Sequence, residues 1–242
     1  MQIAVITDIH ANIEALTVVL ENIESRGADA IVCLGDLVGY NANPNECVEE
    51  IRRREIPCVM GNHDAVACGI EEPWGFNEVA RHAAIWTRQT LTDDNIEFLR
   101  GTPENQRIQE EFLGVHGSPQ DRDMYLFSWH EVYSQFPYLD SFGVRSCFFG
   151  HTHFPGIYNE EGLCSVDETG SFTLDSNGRF FINPGSVGQP RDNNPRAAYL
   201  MYDTDTMRVR FIRVEYDISK AADKILRSGL PKFLADRLVL GR

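Results

Sequence analysis

Positive charge is scarce in this chain: 22 Lys and Arg stand against 36 Asp and Glu, for a formal net charge of −14. Non-specific binding to nucleic acid relies on neutralising phosphates with Lys and Arg, so it is disfavoured. A small phosphorylated ligand remains compatible, because bound cations invert a local field. The six cysteines (Cys33, Cys47, Cys58, Cys68, Cys147 and Cys164) contain no C-x-x-C pair. Several sit inside apolar runs, which reads as buried free thiols in a reducing compartment. Long apolar runs are missing too: none approaches the ~20 residues that span a bilayer. The N-terminus enters a strand directly, without a signal peptide. The expectation is a cytoplasmic protein with no membrane partner. There is no internal repeat, low-complexity tract or linker. With 242 residues, 43% of them hydrophobic, the chain is read as one α/β domain with one sizeable core.

What is present is organised around five short polar clusters, each mostly flanked by apolar residues. They are Asp8-Ile9-His10, Gly35-Asp36, Gly61-Asn62-His63-Asp64, Gly114-Val115-His116 and Gly150-His151-Thr152-His153. Residues 2–7 and 30–34 read as strands covered on both faces. Asn12 is placed to cap a helix carrying Ile13, Leu16, Val19, Leu20 and Ile23 and closed by Gly27. Asn43-Pro44 opens a second helix through about Arg54. Residues 57–60 read as a third strand. The alternation implies a parallel sheet with right-handed crossovers and puts each cluster at a strand's carboxyl end, where open α/β sheets bind ligands.

Residues 65–111 read as mostly helical, with Trp74, Phe76, Trp86 and Phe98 as apolar anchors. They form either a wall or lid over the site, or helices packed on the sheet's flank. Residues 128–139 read as a helix broken near Pro137. The last third has short strand signals at 145–149, 157–158, 163–166, 180–182, 197–202 and 207–214, which suggest an antiparallel second sheet, followed by two terminal helices.

The clusters carry a specific chemistry. Two metal ions ~3.5–4 Å apart need a bridging carboxylate and terminal ligands, and imidazole suits Mn, Fe, Zn and Ni. A one-residue spacer in Asp8-Ile9-His10, and again in His151-Thr152-His153, turns both side chains to one side of a strand end. Asp36, Asn62 and His116 complete a candidate shell. Two divalent cations against two carboxylates and a hydroxide leave the centre net positive, so it attracts phosphate and supplies hydroxide at neutral pH. His82 and His130 have no partner cluster and are read as ordinary residues.

In this order the clusters resemble the calcineurin-like metallophosphoesterase superfamily, whose pattern is D-x-H, GD, GNH[DE], a GH block and GHTH. All five blocks are present between residues 8 and 153. The resemblance implies a four-layer α/β/β/α sandwich of two packed mixed sheets flanked by helices. It implies one metal on Asp8, His10, Asp36 and His153, and another on Asp36, Asn62, His116 and His151. It makes His63 the general acid or a stabiliser of the transition state, with Asp64 orienting it by a hydrogen bond.

Two departures narrow the subfamily. The GDxxDRG motif of the protein phosphatases and symmetrical diadenosine tetraphosphate hydrolases is replaced by Gly35-Asp36-Leu37-Val38-Gly39-Tyr40, and Asp64 stands where those enzymes have Glu. The chain looks more like the small prokaryotic phosphodiesterase branch, with its D-x-H-x-N start (Asp8, His10, Asn12) and its late Asn183-Pro184-Gly185-Ser186 block. Gly185 and Ser186 are placed to offer backbone N–H groups to an anion. Arg191 is the candidate for the missing phosphate clamp; the alternative is a solvated arginine in a turn. Asn12 is either a substrate contact or only a helix cap, and Tyr40 and Asn41 are either pocket or ordinary loop residues. The expectation is a binuclear metal-dependent phosphodiesterase acting on a small phosphorylated substrate by attack of hydroxide held between the metals. A phosphomonoesterase or dinucleoside polyphosphate hydrolase with the same centre is the alternative, and a non-enzymatic scaffold the last. Some relatives in the superfamily self-associate, so a homo-oligomer is compatible with the sequence.

Overall fold

The computed structural model describes all 242 residues. The chain order is β1 (Gln2–Ile6), α1 (Ile13–Ser25), β2 (Ala30–Cys33), α2 (Pro44–Arg53), α3 (Asn62–Ala67), α4 (Glu78–Thr90), α5 (Asp93–Arg100), β3 (Asn105–Ile108) and β4 (Phe112–Val115). It continues with α6 (Trp129–Tyr133), α7 (Phe136–Phe142), β5 (Ser146–Phe148), β6 (Gly156–Asn159), β7 (Gly162–Leu163), β8 (Ser171–Thr173), β9 (Phe181–Asn183), β10 (Ala197–Asp203), β11 (Arg208–Val214), α8 (Ile218–Arg227) and α9 (Lys232–Leu240). Two mixed sheets result, one in the order β2-β1-β10-β11-β8 and the other β3-β4-β5-β9-β6-β7.

The period-two alternation of strand side chains assigns the layers. In β1, Ile3 and Val5 face the second sheet, where they meet Phe148, Ile182 and Phe112. Ala4 and Ile6 face outward, onto Leu16, Val19, Leu20 and Ile23 of α1 and onto Val48 and Ile51 of α2. In the second sheet, Cys147 and Phe181 point away from the first and pack on Phe136 and Leu139 of α7. Helices, sheet, sheet and helices thus make four layers, as the resemblance implied. Both faces of each sheet are covered, which is why the strands read as nearly continuous apolar runs.

Several local expectations need correction. The strands of the last third do not form a sheet of their own. β10 runs antiparallel beside β1, and β9 runs parallel beside β5, so both sheets are mixed. Hydrophobic period reports which face is buried, not which strand is the neighbour. The third strand, residues 57–60, shrinks to one parallel bridge between Cys33 and Cys58. Beyond it Met60 N–H turns away to the carbonyl of Pro103, and the chain enters α3. Residues 105–108 form a strand where only helix and turn were expected; it is an edge strand with polar residues outward, including Arg107. The break in the 128–139 helix falls at Ser134 and Gln135, and Pro137 sits in the first turn of α7, where its missing N–H costs nothing. Trp74 is 85% exposed and anchors nothing. His82 and His130 are both exposed. The hairpin of α8 and α9 packs on α4 through Ala80, Ala83, Ile225, Leu234 and Leu238, a cluster that includes Tyr40. No helix is long and apolar enough to cross a membrane.

Candidate metal centre

Asp8, His10, Asp36, Asn62, His116, His151 and His153, from five separate loops, converge on one buried point. Each is at most 6% exposed. Five of the seven have backbones in the left-handed region: Asp8 (φ 53°), His10 (48°), Asp36 (53°), His151 (66°) and His153 (64°). The paired orientation within Asp-x-His and His-x-His is therefore not that of an extended strand, as the one-residue spacing suggested. β1 has already ended at Ile6, and each residue turns independently. Such conformations cost on the order of 1–2 kcal/mol per residue and persist only where the surroundings over-determine them.

The late Asn-Pro-Gly-Ser block provides much of that determination. Ser186 Oγ donates to Asp8 O (2.8 Å), and Gly188 N–H to the same carbonyl (2.9 Å). Asn183 Nδ2 donates to Gly150 O (2.8 Å) and Thr152 Oγ1 (3.0 Å). The block is thus a clamp between the first and fifth clusters. Gly185 N–H is taken by Asn183 Oδ1 (2.9 Å), which removes it from the expected role of anion donor.

Two sets of ligand atoms are distinguishable. In the first, His10 Nε2 and His153 Nε2 are 3.1 Å apart, with Asp8 Oδ1 3.3 Å from His153 and 3.8 Å from His10. In the second, His116 Nε2 is 3.1 Å from His151 Nδ1 and 3.2 Å from Asn62 Oδ1. Asp36 Oδ2 lies between the sets, 3.5 Å from His10 Nε2 and 3.3 Å from His116 Nε2, while its Oδ1 accepts the N–H of His63 (2.9 Å).

The other nitrogen of each imidazole decides whether a metal fits. His10 Nδ1 faces Val38 O (3.0 Å), His153 Nδ1 faces Gln189 O (2.6 Å), His116 Nδ1 faces Leu34 O (2.8 Å) and His151 Nε2 faces Asp123 O (3.2 Å). A carbonyl accepts, so each of these nitrogens carries the proton. The inward nitrogens of His10 and His153, both neutral rings, then present bare lone pairs to each other at 3.1 Å. That arrangement is repulsive unless a cation lies between them. The residues fit a divalent metal with ordered outer partners, and the N/O donor set is one that Mn, Fe, Zn and Ni accept.

The titration behaviour agrees. Burial holds His10, His151 and His153 well below the ordinary histidine range, so they are neutral donors. The two carboxylates diverge: burial pushes Asp8 up to about 7, while the charges of His116 and His63 outweigh burial and hold Asp36 well below its usual value. His116 is raised to about 9 because Asp36 and Asp8 overcome its burial. Its proton occupies the place of a cation beside Asp36.

His63 is 4% exposed and packs between the rings of Tyr40 (4.3 Å between centroids) and Phe76 (4.6 Å). Burial lowers it to about 4, against the charge of Asp36. Asp64 makes no hydrogen bond to the His63 ring, contrary to the expectation. Its carboxylate accepts the N–H groups of Gly61 and Val38 (3.1 Å each), so it fixes the turns that carry His63 and Gly39. Asn12 follows the cap alternative: Oδ1 accepts Ala15 N–H (3.1 Å), Nδ2 donates to Gly188 O (2.9 Å), and the residue is 1% exposed. Asn41 is structural, donating to His10 O (2.7 Å). Tyr40 is a site residue, its ring 4.6 Å from that of His10. Arg191 is half-buried beside Tyr40, its buried Nε without a partner and its guanidinium 5.7 Å from the Tyr40 centroid.

Sequence reasoning named Phe76 only as an apolar anchor of 65–111, and missed Tyr125 and the four carbonyls behind the histidines. Tyr125 stacks on His151 with centroids 3.8 Å apart. A backbone carbonyl has no side-chain signature, and the two aromatics lie outside every motif.

A profile of the calcineurin-like phosphoesterase superfamily domain matches residues 1–207. The chain is 42% identical over 245 residues to an uncharacterised protein of Methanocaldococcus jannaschii, covering 99% of this chain and 98% of that protein. Among solved structures, a metallophosphoesterase from Sphaerobacter thermophilus superposes with a TM-score of 0.88 at 37% identity, covering 100% of this chain and 99% of the other. A hypothetical protein from Pyrococcus horikoshii shares the fold, with a TM-score of 0.82 at 21% identity, covering 100% of this chain and 98% of the other. The clusters, the two mixed sheets and these matches agree: the chain belongs to the calcineurin-like phosphoesterase superfamily.

Proposed function

We propose that the centre holds two divalent metal ions and hydrolyses a phosphodiester bond in a small phosphorylated substrate. The observation that carries this reading is the convergence of two ligand sets, His10 with His153 through opposed lone pairs and His116 with His151, joined through Asp36 Oδ2. Two bound cations would neutralise phosphoryl charge and make water acidic enough to serve as a nucleophile near neutral pH. Asp8, His10, Asp36 and His153 would hold one ion; Asp36, Asn62, His116 and His151 the other.

The remaining residues act around that centre. His63 is neutral near pH 7, because burial lowers it to about 4. It therefore serves as an N–H donor to a phosphoryl or leaving-group oxygen rather than as a standing imidazolium. Asp64 holds the turn beneath it. Arg191 has a buried, unpartnered Nε and supplies the phosphate contact that the absent Asp-Arg-Gly motif would have given. That absence favours the diester over a monoester or a dinucleoside polyphosphate.

The test is hydrolysis of bis(p-nitrophenyl) phosphate beside p-nitrophenyl phosphate by protein reconstituted separately with Mn, Ni, Zn and Mg. Metal-dependent turnover preferring the diester supports the proposal. Turnover on the monoester alone replaces it with a phosphatase. Asn62→Ala and His63→Ala should each lower turnover by roughly 100-fold or more while the protein stays folded.

A further inference from the structure

A run of aromatic rings leads from the metal centre to solvent. The ring of Tyr125 stacks on that of His151, with centroids 3.8 Å apart and planes at 26°. Phe127 lies nearly parallel to Tyr125, 5.1 Å away at 6°. Exposure rises along the run: His151 is 3% exposed, Tyr125 41% and Phe127 54%. Phe154, the residue after His153, is 41% exposed and meets Phe127 edge-on, 6.2 Å away at 78°. The three exposed rings thus adjoin one candidate ligand from each set, His151 through Tyr125 and His153 through Phe154.

The local sequence holds these rings in place. Residues 124–127 alternate in burial. Met124 and Leu126 join the core cluster of Val132, Phe136 and Leu139, while Tyr125 and Phe127 stay exposed. Downstream, the N–H groups of Phe127 (2.9 Å) and Ser128 (2.7 Å) both donate to Glu131 Oε2, in the capping box of α6. Upstream, Asp123 turns its carbonyl to His151 Nε2 (3.2 Å), and Arg122 pairs with Glu71 and Glu104. The segment is therefore anchored on both sides of the rings, so the face they offer is organised before any ligand arrives.

An exposed aromatic ring forgoes the burial that stabilises it elsewhere, so three in contact at the rim of a centre point to an occupant. A second copy docked there would cover Tyr125 and with it this side of the centre, which disfavours that occupant for an enzyme. The part of a substrate that projects from the phosphoryl group meets the rings instead. Tyr and Phe reward a planar heteroaromatic group, because a nucleobase stacks through its π-face whatever its edge carries. We propose that Tyr125 and Phe127, edged by Phe154, form a platform for a nucleobase on the ester arm of the substrate, which rests on the reading of the centre as a phosphoesterase site. The substrate class is a nucleotide, its phosphoryl group at the metals and its base on the rings.

The test is calorimetric binding of 9-(2-phosphonomethoxyethyl)adenine and of (2-methoxyethoxy)methylphosphonate to the full chain loaded with Mn. The second probe carries a methoxy group in place of adenine, and the P–C bond of each resists hydrolysis. The platform predicts that wild type prefers the adenine probe by about tenfold or better. Phe127→Ala should cut that preference to about threefold or less, and Phe127→Trp should keep it. Equal affinities in wild type, failure of both probes to bind, or an undiminished preference in Phe127→Ala would overturn the platform. An undiminished preference together with a dimer that Phe127→Ala dissociates would assign the rings to an interface between copies. Absence of turnover on bis(p-nitrophenyl) phosphate is a separate result: it removes the hydrolase reading and leaves the binding ratio to be read by itself.

Discussion

Gly39→Ala isolates the placement of His63 from everything else at the centre. Gly39 has φ +92°, and a Cβ built there would lie 2.4 Å from His63 Nδ1, 3.0 Å from Cγ and 3.2 Å from Cβ. Ordinary contact begins near 3.4 Å, so the imidazole must retreat by about 1 Å, a displacement that in a positioned catalytic group lowers turnover by on the order of 100-fold. The left-handed backbone adds about 1–2 kcal/mol for any residue with a Cβ. Gly27→Ala supplies the control, because Gly27 has φ +70° and nothing within 4 Å of the added Cβ. Both variants should lose about 1–2 kcal/mol in urea unfolding, and both should bind metal as wild type does. Only Gly39→Ala should lose turnover, by about two orders of magnitude in kcat on an aryl phosphodiester. Full turnover in a folded, metal-loaded Gly39→Ala would refute the role given to His63. An equal loss in Gly27→Ala would trace the effect to backbone strain instead.

Three further outcomes follow from the geometry. His116 is raised to about 9 in the metal-free fold, so metal must displace its proton, and apparent metal affinity should rise about tenfold per pH unit between roughly pH 7 and 8.5. For the same reason, metal-free stability from this group is complete below the ordinary histidine pKa and is lost as pH rises through about 9; a competing chelator titration giving a flat affinity would contradict this. Asn183→Ala orphans Gly185 N–H and leaves Gly150 O with only the Thr152 N–H, in a site where Asn183 is 0% exposed, and should cost about 1–3 kcal/mol by urea unfolding; a change under about 0.5 kcal/mol would show that the clamp is dispensable. Five of the six cysteines are buried and Cys164 is half-buried; native protein should therefore expose at most this one thiol to a disulfide reagent within minutes, with all six reacting after denaturation.

How much of this was legible in the sequence depends on what each feature is made of. The five clusters carry side-chain chemistry at fixed spacing, and the structure brings their seven candidate ligands to one place. The apolar runs marked β1, β2, β5 and β10, because both faces of each are covered. Strand partners were not legible: β10 beside β1 is a choice of neighbour that periodicity does not encode. The cap formed by Asn12 was legible, but its second contact and the partners of Asp64 were not, for one shared reason. Both bind backbone amides and carbonyls of other loops, and such partners are identified only after folding.

The central claim is a catalytic pair of metals bridged by Asp36, and titrating metal-free protein with Mn while following bis(p-nitrophenyl) phosphate hydrolysis tests it most directly. The account predicts that turnover climbs to a plateau at about two equivalents of metal per chain. In Asp36→Asn the rise should be abolished, because that carboxylate serves both sets of ligands. A plateau at one equivalent, or no metal-dependent hydrolysis with two equivalents bound, would contradict it.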